Sequence, residues 1–405
     1  MSDRIVVIGG GLAAATTVVE LREHGFTGPI TLLAEERHPP YERPPLSKSV
    51  LLGKKEPDSA IVKDPSWYAE HDVDLRTGTR VDRIDLAART VEAGDESIPY
   101  DRLLIATGAR PRRLALADDS GAPVSYLRTM DDSTSLRSLF RPGLRLGVIG
   151  GGWIGLEATS AARDAGAEVT VLESLDLPLL RVLGPEVAQV IADLHREHGV
   201  DLRTGVEITD IKSSGDGVVV TLGDGSAATF DHLLVGVGVQ PNTELAEAAG
   251  LTIDNGIRTD AHLRTSDQAV FAVGDVANVD HPTLGRSLRV EHWDTAIQHG
   301  KVAAANLAGG DVVADALPYF FTDQYDFGME YVGNAGPGGY DRVILRGDVP
   351  GRVFTAWWLD GSRVVAGMQS NDWDAIDDVR RIVGSDVDPE RLADEAVALS
   401  DVVPG

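Results

Sequence analysis

The chain has 405 residues, 43% of them hydrophobic and 25% charged, with a net charge of −26 and no cysteine. That length accommodates roughly two or three domains with ordinary globular cores, and the missing cysteine excludes disulfides, thiolate metal sites and thiol redox relays. The acidic balance argues against nucleic acid or anionic membranes as partners. No apolar run reaches the ~18 residues of a membrane helix, and the chain passes from Met1-Ser2-Asp3-Arg4 straight into a strand, leaving no room for a signal peptide. A cytoplasmic protein is expected.

In chain order, residues 4–36 read as strand, glycine turn, helix and strand. The turn is Gly9-x-Gly11-x-x-Ala14, carrying Leu12 and Ala13, and the second strand, Ile30–Leu33, is followed by an acid at Glu35. In such a turn the first glycine permits the tight bend and the second lets backbone approach a pyrophosphate, while the helix start presents free N–H groups. The segment 38–48, HPPYERPPLSK, holds two proline pairs and is stiff and non-helical. It is either a rigid surface loop or a brace that holds Arg43 and Lys48 over a cofactor. Short hairpin strands are expected over 80–84 and 90–91. An apolar strand over 100–105 ends in Ala106-Thr107-Gly108, where the chain should leave its first domain.

Residues 146–173, LGVIGGGWIGLEATSAARDAGAEVTVLE, repeat the device with Gly150-x-Gly152-x-x-Gly155, in which Trp153 and Ile154 sit, and with Glu173 closing the second strand. Glycine spacing, βαβ context and a terminal acid together specify a dinucleotide site, the acid accepting from the adenosine ribose hydroxyls. A carboxylate there repels a 2′-phosphate, so NADH is expected over NADPH, although Arg181 lies close enough in sequence to soften the preference. Glu157 follows on the same helix, on the apolar face shared with Ile154 and Ala161, where a carboxylate needs a partner. Two such sites in one chain imply one resident and one exchanging cofactor, the arrangement of a flavoprotein reduced by a nicotinamide nucleotide.

Further on, an amphipathic helix is expected over 185–198, with Val187, Val190, Ile191 and Leu194 on one face. Strands over 218–222 and 230–237 flank an Asp224-Gly225 turn, and the segment 237–242, with Gly238, marks a second crossing point between domains. The buried strand 269–275 ends in Gly274-Asp275, at the sheet edge where open α/β sheets bind ligands. From Leu317 onward the texture changes to clustered aromatics and strands over 343–345, 353–359 and 364–368, which reads as a separate α+β domain with a helical tail. His195 and His198 are one helical turn apart, but no third ligand is evident, and a solvated helix face is expected rather than a metal site.

The combination of PYERPPLSK (40–48), LLIATGARPR (103–112), LRTMDD (127–132), GGGWIGLE (150–157), GVGVQPNTELAEAAGL (236–251), TSDQAVFAVGDVA (265–277), EHWDTAIQHG (291–300) and TDQY (322–325) resembles the FAD-dependent, NAD(P)H-dependent ferredoxin reductases of bacterial cytochrome P450 and ring-hydroxylating dioxygenase systems. The likeness is greatest to the putidaredoxin and rhodocoxin reductase group and runs nearly end to end. It implies an α/β fold of glutathione-reductase-like architecture: two Rossmann-like dinucleotide-binding domains plus a C-terminal α+β domain. The FAD domain would be discontinuous, over 1–110 and 241–316, with the NAD domain inserted over 111–240 and the C-terminal domain over 317–405.

The resemblance assigns Glu35 and Arg43 to the adenosine and phosphates of FAD, and Asp275 to its ribityl and pyrophosphate region. Ala13, Val81 and Arg128 match further flavin contacts, and Trp293 matches the residue against the isoalloxazine. Lys48 matches the lysine that pairs with Glu157 beside the flavin N5, where hydride arrives. Trp153 either covers the nicotinamide pocket and swings away or acts as a wedge between domains. The partner would be a small acidic 2Fe–2S ferredoxin docking near Lys301 and Phe321, and through it a cytochrome P450 or dioxygenase. Two rivals stand: an NADH-dependent flavoprotein reducing a small molecule, such as an NADH oxidase or monodehydroascorbate reductase, and an NADH sensor like apoptosis-inducing factor, which the net charge and the lack of a targeting segment disfavour.

Overall fold

The computed structural model describes residues 3–215 and 217–403, which divide into two compact units. The first comprises 1–44, 57–110 and 239–318; the second comprises 45–56, 111–238 and 319–405.

The first unit is built on a five-stranded parallel sheet in the order Val270–Ala272, Arg102–Ile105, Ile5–Ile8, Ile30–Leu33, Val73–Arg76. Ile5–Ile8 and Ile30–Leu33 are buried along their whole length, as expected for a parallel sheet covered on both faces. Helix Leu12–Glu23 packs on helix Trp293–Leu307, and the contact is close because Gly300 faces Thr16 and the Ala13 carbonyl. A three-stranded antiparallel sheet, Arg83–Asp85, Thr90–Ala93 and Glu96–Pro99, stands where a two-stranded hairpin was expected.

The second unit has its own parallel sheet, ordered Asp201–Arg203, Glu168–Leu172, Arg145–Ile149, His232–Val235, Val124–Ser125. The strand expected over 230–237 is two: Ala227–Phe230 closes an antiparallel meander, and His232–Val235 enters the parallel sheet. The 185–198 helix is longer, spanning Leu180–Glu197, and is broken at Gly184, where φ is +72° and Pro185 follows. The indole Nε1 of Trp358 donates to the Leu183 carbonyl beside this break, at 3.1 Å.

Two boundaries differ from the sequence reading. Residues 45–56 belong with the second unit, because Leu51 joins the cluster of Leu127, Leu136, Leu146 and Val148 and the Ser133 hydroxyl donates to the Leu46 carbonyl at 2.7 Å. The C-terminal region is a five-stranded antiparallel sheet, Tyr319–Gln324, Phe327–Gly333, Arg363–Ser370, Val353–Asp360, Arg342–Asp348, and it groups with the second unit. Phe327, Met329, Tyr331 and Trp358 share one core with Leu156 and with Leu183, Val187, Ile191 and Leu194 of the broken helix.

Candidate active site

In the first unit, strand Ile5–Ile8 runs into Gly9, where φ is +115° and a Cβ would stand 2.2 Å from the Ala106 carbonyl oxygen. Only glycine fits. Gly11 precedes helix Leu12–Glu23, which has no side-chain cap, and nothing lies within 4 Å of where a Gly11 Cβ would be. An open backbone at an uncapped helix start suits a pyrophosphate. Leu12 packs against the core, and Ala13 and Ala14 are within it. Ala106 is buried, and the two expected crossing points are pinned together: Thr107 and Asn242 exchange hydrogen bonds at 2.8 Å, and the Asn242 N–H donates to the Gly108 carbonyl.

Arg43 pairs with Glu36 at 3.0 Å, and its guanidinium lies over the Tyr41 ring at 5.4 Å. Glu35, the acid singled out from the sequence, is exposed; its neighbour Glu36 holds the arginine. Gly274 and Asp275 form a 3₁₀ turn after strand Val270–Ala272, and the Asp275 carbonyl accepts from Arg289 Nη1 at 3.0 Å. The Gly274 N–H donates to His299 Nδ1 at 3.3 Å, and burial pushes that imidazole down to about 4, so it stays neutral and able to accept. His299 was missed from the sequence because nothing local distinguishes it from a core histidine. Val81 is buried, and Trp293 opens helix Trp293–Leu307.

The second glycine loop follows the same plan. Gly150 has φ +99°, with its Cβ position 2.5 Å from the Gly236 carbonyl oxygen; Gly152 precedes helix Trp153–Asp164, again without a side-chain cap. Glu173 is 9% exposed; its Oε2 accepts from the Gly151 N–H at 2.6 Å and its Oε1 from the Leu175 N–H at 2.8 Å. The carboxylate is thus fixed at the loop before any nucleotide arrives. Ile154, and beyond it Val182 and Val237, are large apolar side chains left exposed on or next to segments that touch the loop, a surface suited to nucleotide rings. Arg181 is exposed, and the Gly238 carbonyl accepts from the Arg112 N–H at 2.9 Å. Trp153 is the first residue of the helix, its ring 5.1 Å from Phe320.

Glu157 is 3% exposed and Ala161 is buried, but Ile154, expected on the same apolar face, is exposed. Lys48 Nζ donates to its Oε1 at 2.7 Å, the Thr322 hydroxyl donates to the same oxygen at 2.6 Å, and the Ser47 hydroxyl donates to Oε2. The Lys48 ammonium also lies 5.2 Å from the centre of the Phe321 ring. Arg128, grouped with the flavin contacts from the sequence, lies in the second unit, where its backbone N–H donates to Asp132 at 3.1 Å.

Residues 3–300 match the profile of the family described as pyridine nucleotide-disulphide oxidoreductase, and 319–403 match one described as reductase C-terminal. The chain belongs to the pyridine nucleotide-disulphide oxidoreductase family. Within this family it is 40% identical to the ferredoxin–NAD(+) reductase component of the anthranilate 1,2-dioxygenase system of Burkholderia cepacia, over 98% of each chain. It is 38% identical to rhodocoxin reductase of Rhodococcus erythropolis, over 90% of this chain and 86% of the other. Its fold matches the crystal structure of the covalent putidaredoxin reductase–putidaredoxin complex with a TM-score of 0.95 and 37% identity, covering 99% of this chain and 98% of that one.

This member of the family has both glycine loops but no cysteine, so the thiol relay of the family name is absent while the dinucleotide cradles are kept. Both cradles fit the cofactors: FAD at the loop of Gly9 and Gly11, with Arg43 and Asp275 beside it, and NADH at the loop of Gly150 and Gly152, with Glu173. Lys301 is exposed on helix Trp293–Leu307 and lines a cleft of about 510 Å³ with Glu20, Asp294 and Gln298. His195 is not on a solvated face: it is fully buried, its Nε2 2.7 Å from Gln324 Oε1. Among the described residues no group of three or more side chains could hold a metal ion, and no helix is long and apolar enough to cross a membrane.

Proposed function

We infer that this protein is an NADH-dependent, FAD-containing ferredoxin reductase that passes electrons to a 2Fe–2S ferredoxin feeding a cytochrome P450 or dioxygenase. The observation that carries the reading is the pair of open, uncapped nucleotide cradles in a chain without cysteine. Electrons brought by NADH have no thiol pair to enter, so they leave to an external acceptor. The relatives' names supply the class of that acceptor. FAD, when bound, supplies the acceptance of a hydride and the release of electrons one at a time.

The protein's own residues bind and orient. Arg43, held by Glu36, would offer a fixed guanidinium to the FAD phosphates, Asp275 would accept from the ribityl hydroxyls, and Trp293 would pack against the isoalloxazine. Glu173 would accept from the ribose of NADH, Trp153 would either cover the nicotinamide or act as a wedge, and Lys48 with Glu157 would act as one unit in flavin reduction. Lys301 and Phe321 belong to the ferredoxin-docking surface. The ready supply of NADH in the cytoplasm fits a cytoplasmic enzyme. Steady-state NADH oxidation with ferricyanide, oxygen and a 2Fe–2S ferredoxin in parallel tests the reading. Fast turnover with ferredoxin and ferricyanide but slow turnover with oxygen is expected; rapid turnover with oxygen and none with ferredoxin would overturn it.

A further inference from the structure

The Glu157 carboxylate is the end of a buried hydrogen-bond chain that reaches into the broken helix. Thr322 and Gln324 lie two apart on strand Tyr319–Gln324, so they share one face, and both are 1% exposed. Gln324 Nε2 donates to the Thr322 hydroxyl at 3.1 Å, and that hydroxyl donates to Glu157 Oε1 at 2.6 Å. His195, from helix Leu180–Glu197, stands 2.7 Å by its Nε2 from Gln324 Oε1, and the Tyr325 hydroxyl lies 3.4 Å from its Nδ1.

Donor chemistry fixes the direction of the whole chain. A carboxylate only accepts, so Thr322 spends its single proton on Glu157 and must accept from Gln324. The Gln324 carbonyl only accepts, so the proton of the neutral His195 ring is on Nε2 and its Nδ1 takes the Tyr325 hydroxyl proton. Burial pushes His195 down to about 4, which keeps the ring neutral. Every donor thus points toward Glu157 Oε1, the oxygen that also receives Lys48. Aligned donors polarise one another and strengthen the bond to the anion at the end. A core needs no such chain for stability, since apolar side chains of the same shape would fill it at little cost.

We propose that Thr322, Gln324 and His195 are positioning residues whose one-way hydrogen-bond chain holds the Glu157 carboxylate aimed at Lys48 for the reduction of the flavin by NADH. This rests on the reading of Lys48 and Glu157 as a unit in that step. The test is anaerobic stopped-flow reduction of the FAD-loaded enzyme by NADH in Thr322→Val, Thr322→Ser and Gln324→Met. Thr322→Val removes the donor at constant shape and should lower the limiting rate about tenfold with the NADH dissociation constant within about twofold, as for a lost charge-assisted bond. Thr322→Ser should restore the rate. Gln324→Met, one bond further away, should slow reduction about threefold, and far less when added to Thr322→Val. Thermal unfolding gives a readout independent of turnover: Thr322→Val should lower Tm markedly beside Glu157 and little in the Glu157→Gln background.

Should Thr322→Val not fold, the Gln324→Met rate and its Tm with and without Glu157→Gln decide the matter. If Lys48→Ala and Glu157→Ala slow reduction but Thr322→Val and Gln324→Met reduce at the normal rate, the chain is not a positioning device and the proposal is overturned. If Lys48→Ala and Glu157→Ala themselves reduce normally, it is the reading of the pair that fails.

Discussion

The two glycine loops use one device for two different tasks, and their differences lie at the third small residue and at the acid. In the first loop the third position is Ala14, already buried; the closest approach of that helix is to helix Trp293–Leu307, where a Cβ on Gly300 would meet Thr16 at 2.7 Å. In the second loop the third position is Gly155, whose Cβ would stand 2.4 Å from the Gly150 carbonyl, so the helix presses on its own turn. The first loop's neighbouring acid, Glu36, is spent on Arg43, which fixes a guanidinium in this unit. The second loop's acid, Glu173, is instead spent on the Gly151 and Leu175 backbone N–H groups. An acid spent on fixing a cation suits a resident cofactor; one spent on the loop's own backbone suits a nucleotide that must leave after each turnover.

The largest expected effect tests the third position. Gly155→Ala should cost about 3 kcal/mol, because the added methyl meets backbone that cannot move aside alone. NADH binding should be lost while the protein stays yellow. The mirror change, Ala14→Gly, should cost only about 1 kcal/mol of helix propensity and keep both cofactors. Thermal unfolding and NADH titration of the two variants decide; an unchanged Tm in Gly155→Ala would abolish the asymmetry between the loops.

Next comes the Lys48–Glu157 pair of the second unit, whose carboxylate is 3% exposed. Lys48→Ala leaves Glu157 buried and short of its ion partner, and losing one member of a buried pair typically costs about 3–5 kcal/mol. Flavin reduction by NADH should fall at least about tenfold in either single variant, with FAD still bound, and the double variant should be little slower than the singles. Additive effects in the stopped-flow rates would reduce Glu157 to an ordinary helix residue.

What the sequence disclosed here depended on separation along the chain. Gly150, Gly152, Gly155 and Glu173 are legible because a βαβ unit repeats a local pattern, whereas the face given to Glu157 was only partly right, since Ile154 is exposed and Ala161 buried. The partnership of Lys48 with Glu157 bridges 109 residues and came only from family likeness, since no periodicity spans such a gap. Thr322, which reaches the same oxygen across 165 residues, was quoted within a motif but given no role. The assignment of 45–56 to the second unit was illegible for a related reason. Leu51 looks like any apolar residue until Leu136 and Leu146 are seen around it. The ion pair of Arg43 with Glu36, seven residues apart, was not anticipated because no local pattern sets which way Glu36 points.

Nucleotide choice probes the acid itself. The wild-type enzyme should favour NADH over NADPH by more than about tenfold in kcat/KM, the worth of one charge-assisted contact. Glu173→Ala should erode the preference but also raise KM for both nucleotides, because the Gly151 and Leu175 N–H groups lose their acceptor. Glu173→Gln keeps one acceptor oxygen and removes the charge, so it should narrow the ratio with less loss of NADH affinity. Equal efficiencies in the wild type would show that Arg181 already accommodates the 2′-phosphate.

The smallest effects belong to the docking surface, where the two units again differ. Phe321 was placed near the docked ferredoxin, and its ring lies 5.2 Å from the Lys48 ammonium, so Phe321→Ala should also slow reduction by NADH about threefold through a lost cation–π contact. Lys301, on helix Trp293–Leu307 of the first unit, probes the docking term. It is a cation on an acidic protein, among Glu20 and Asp294 at the cleft, so its attraction for an acidic ferredoxin is short-ranged and screened by salt. Lys301→Glu should raise the ferredoxin KM about three- to fivefold at low salt, and hardly at all at high salt, where an exposed charge is worth under about 1 kcal/mol. NADH–ferricyanide activity should not change, because a small acceptor needs no docking surface. Ferredoxin kinetics unchanged at both salt concentrations would move the docking face away from helix Trp293–Leu307.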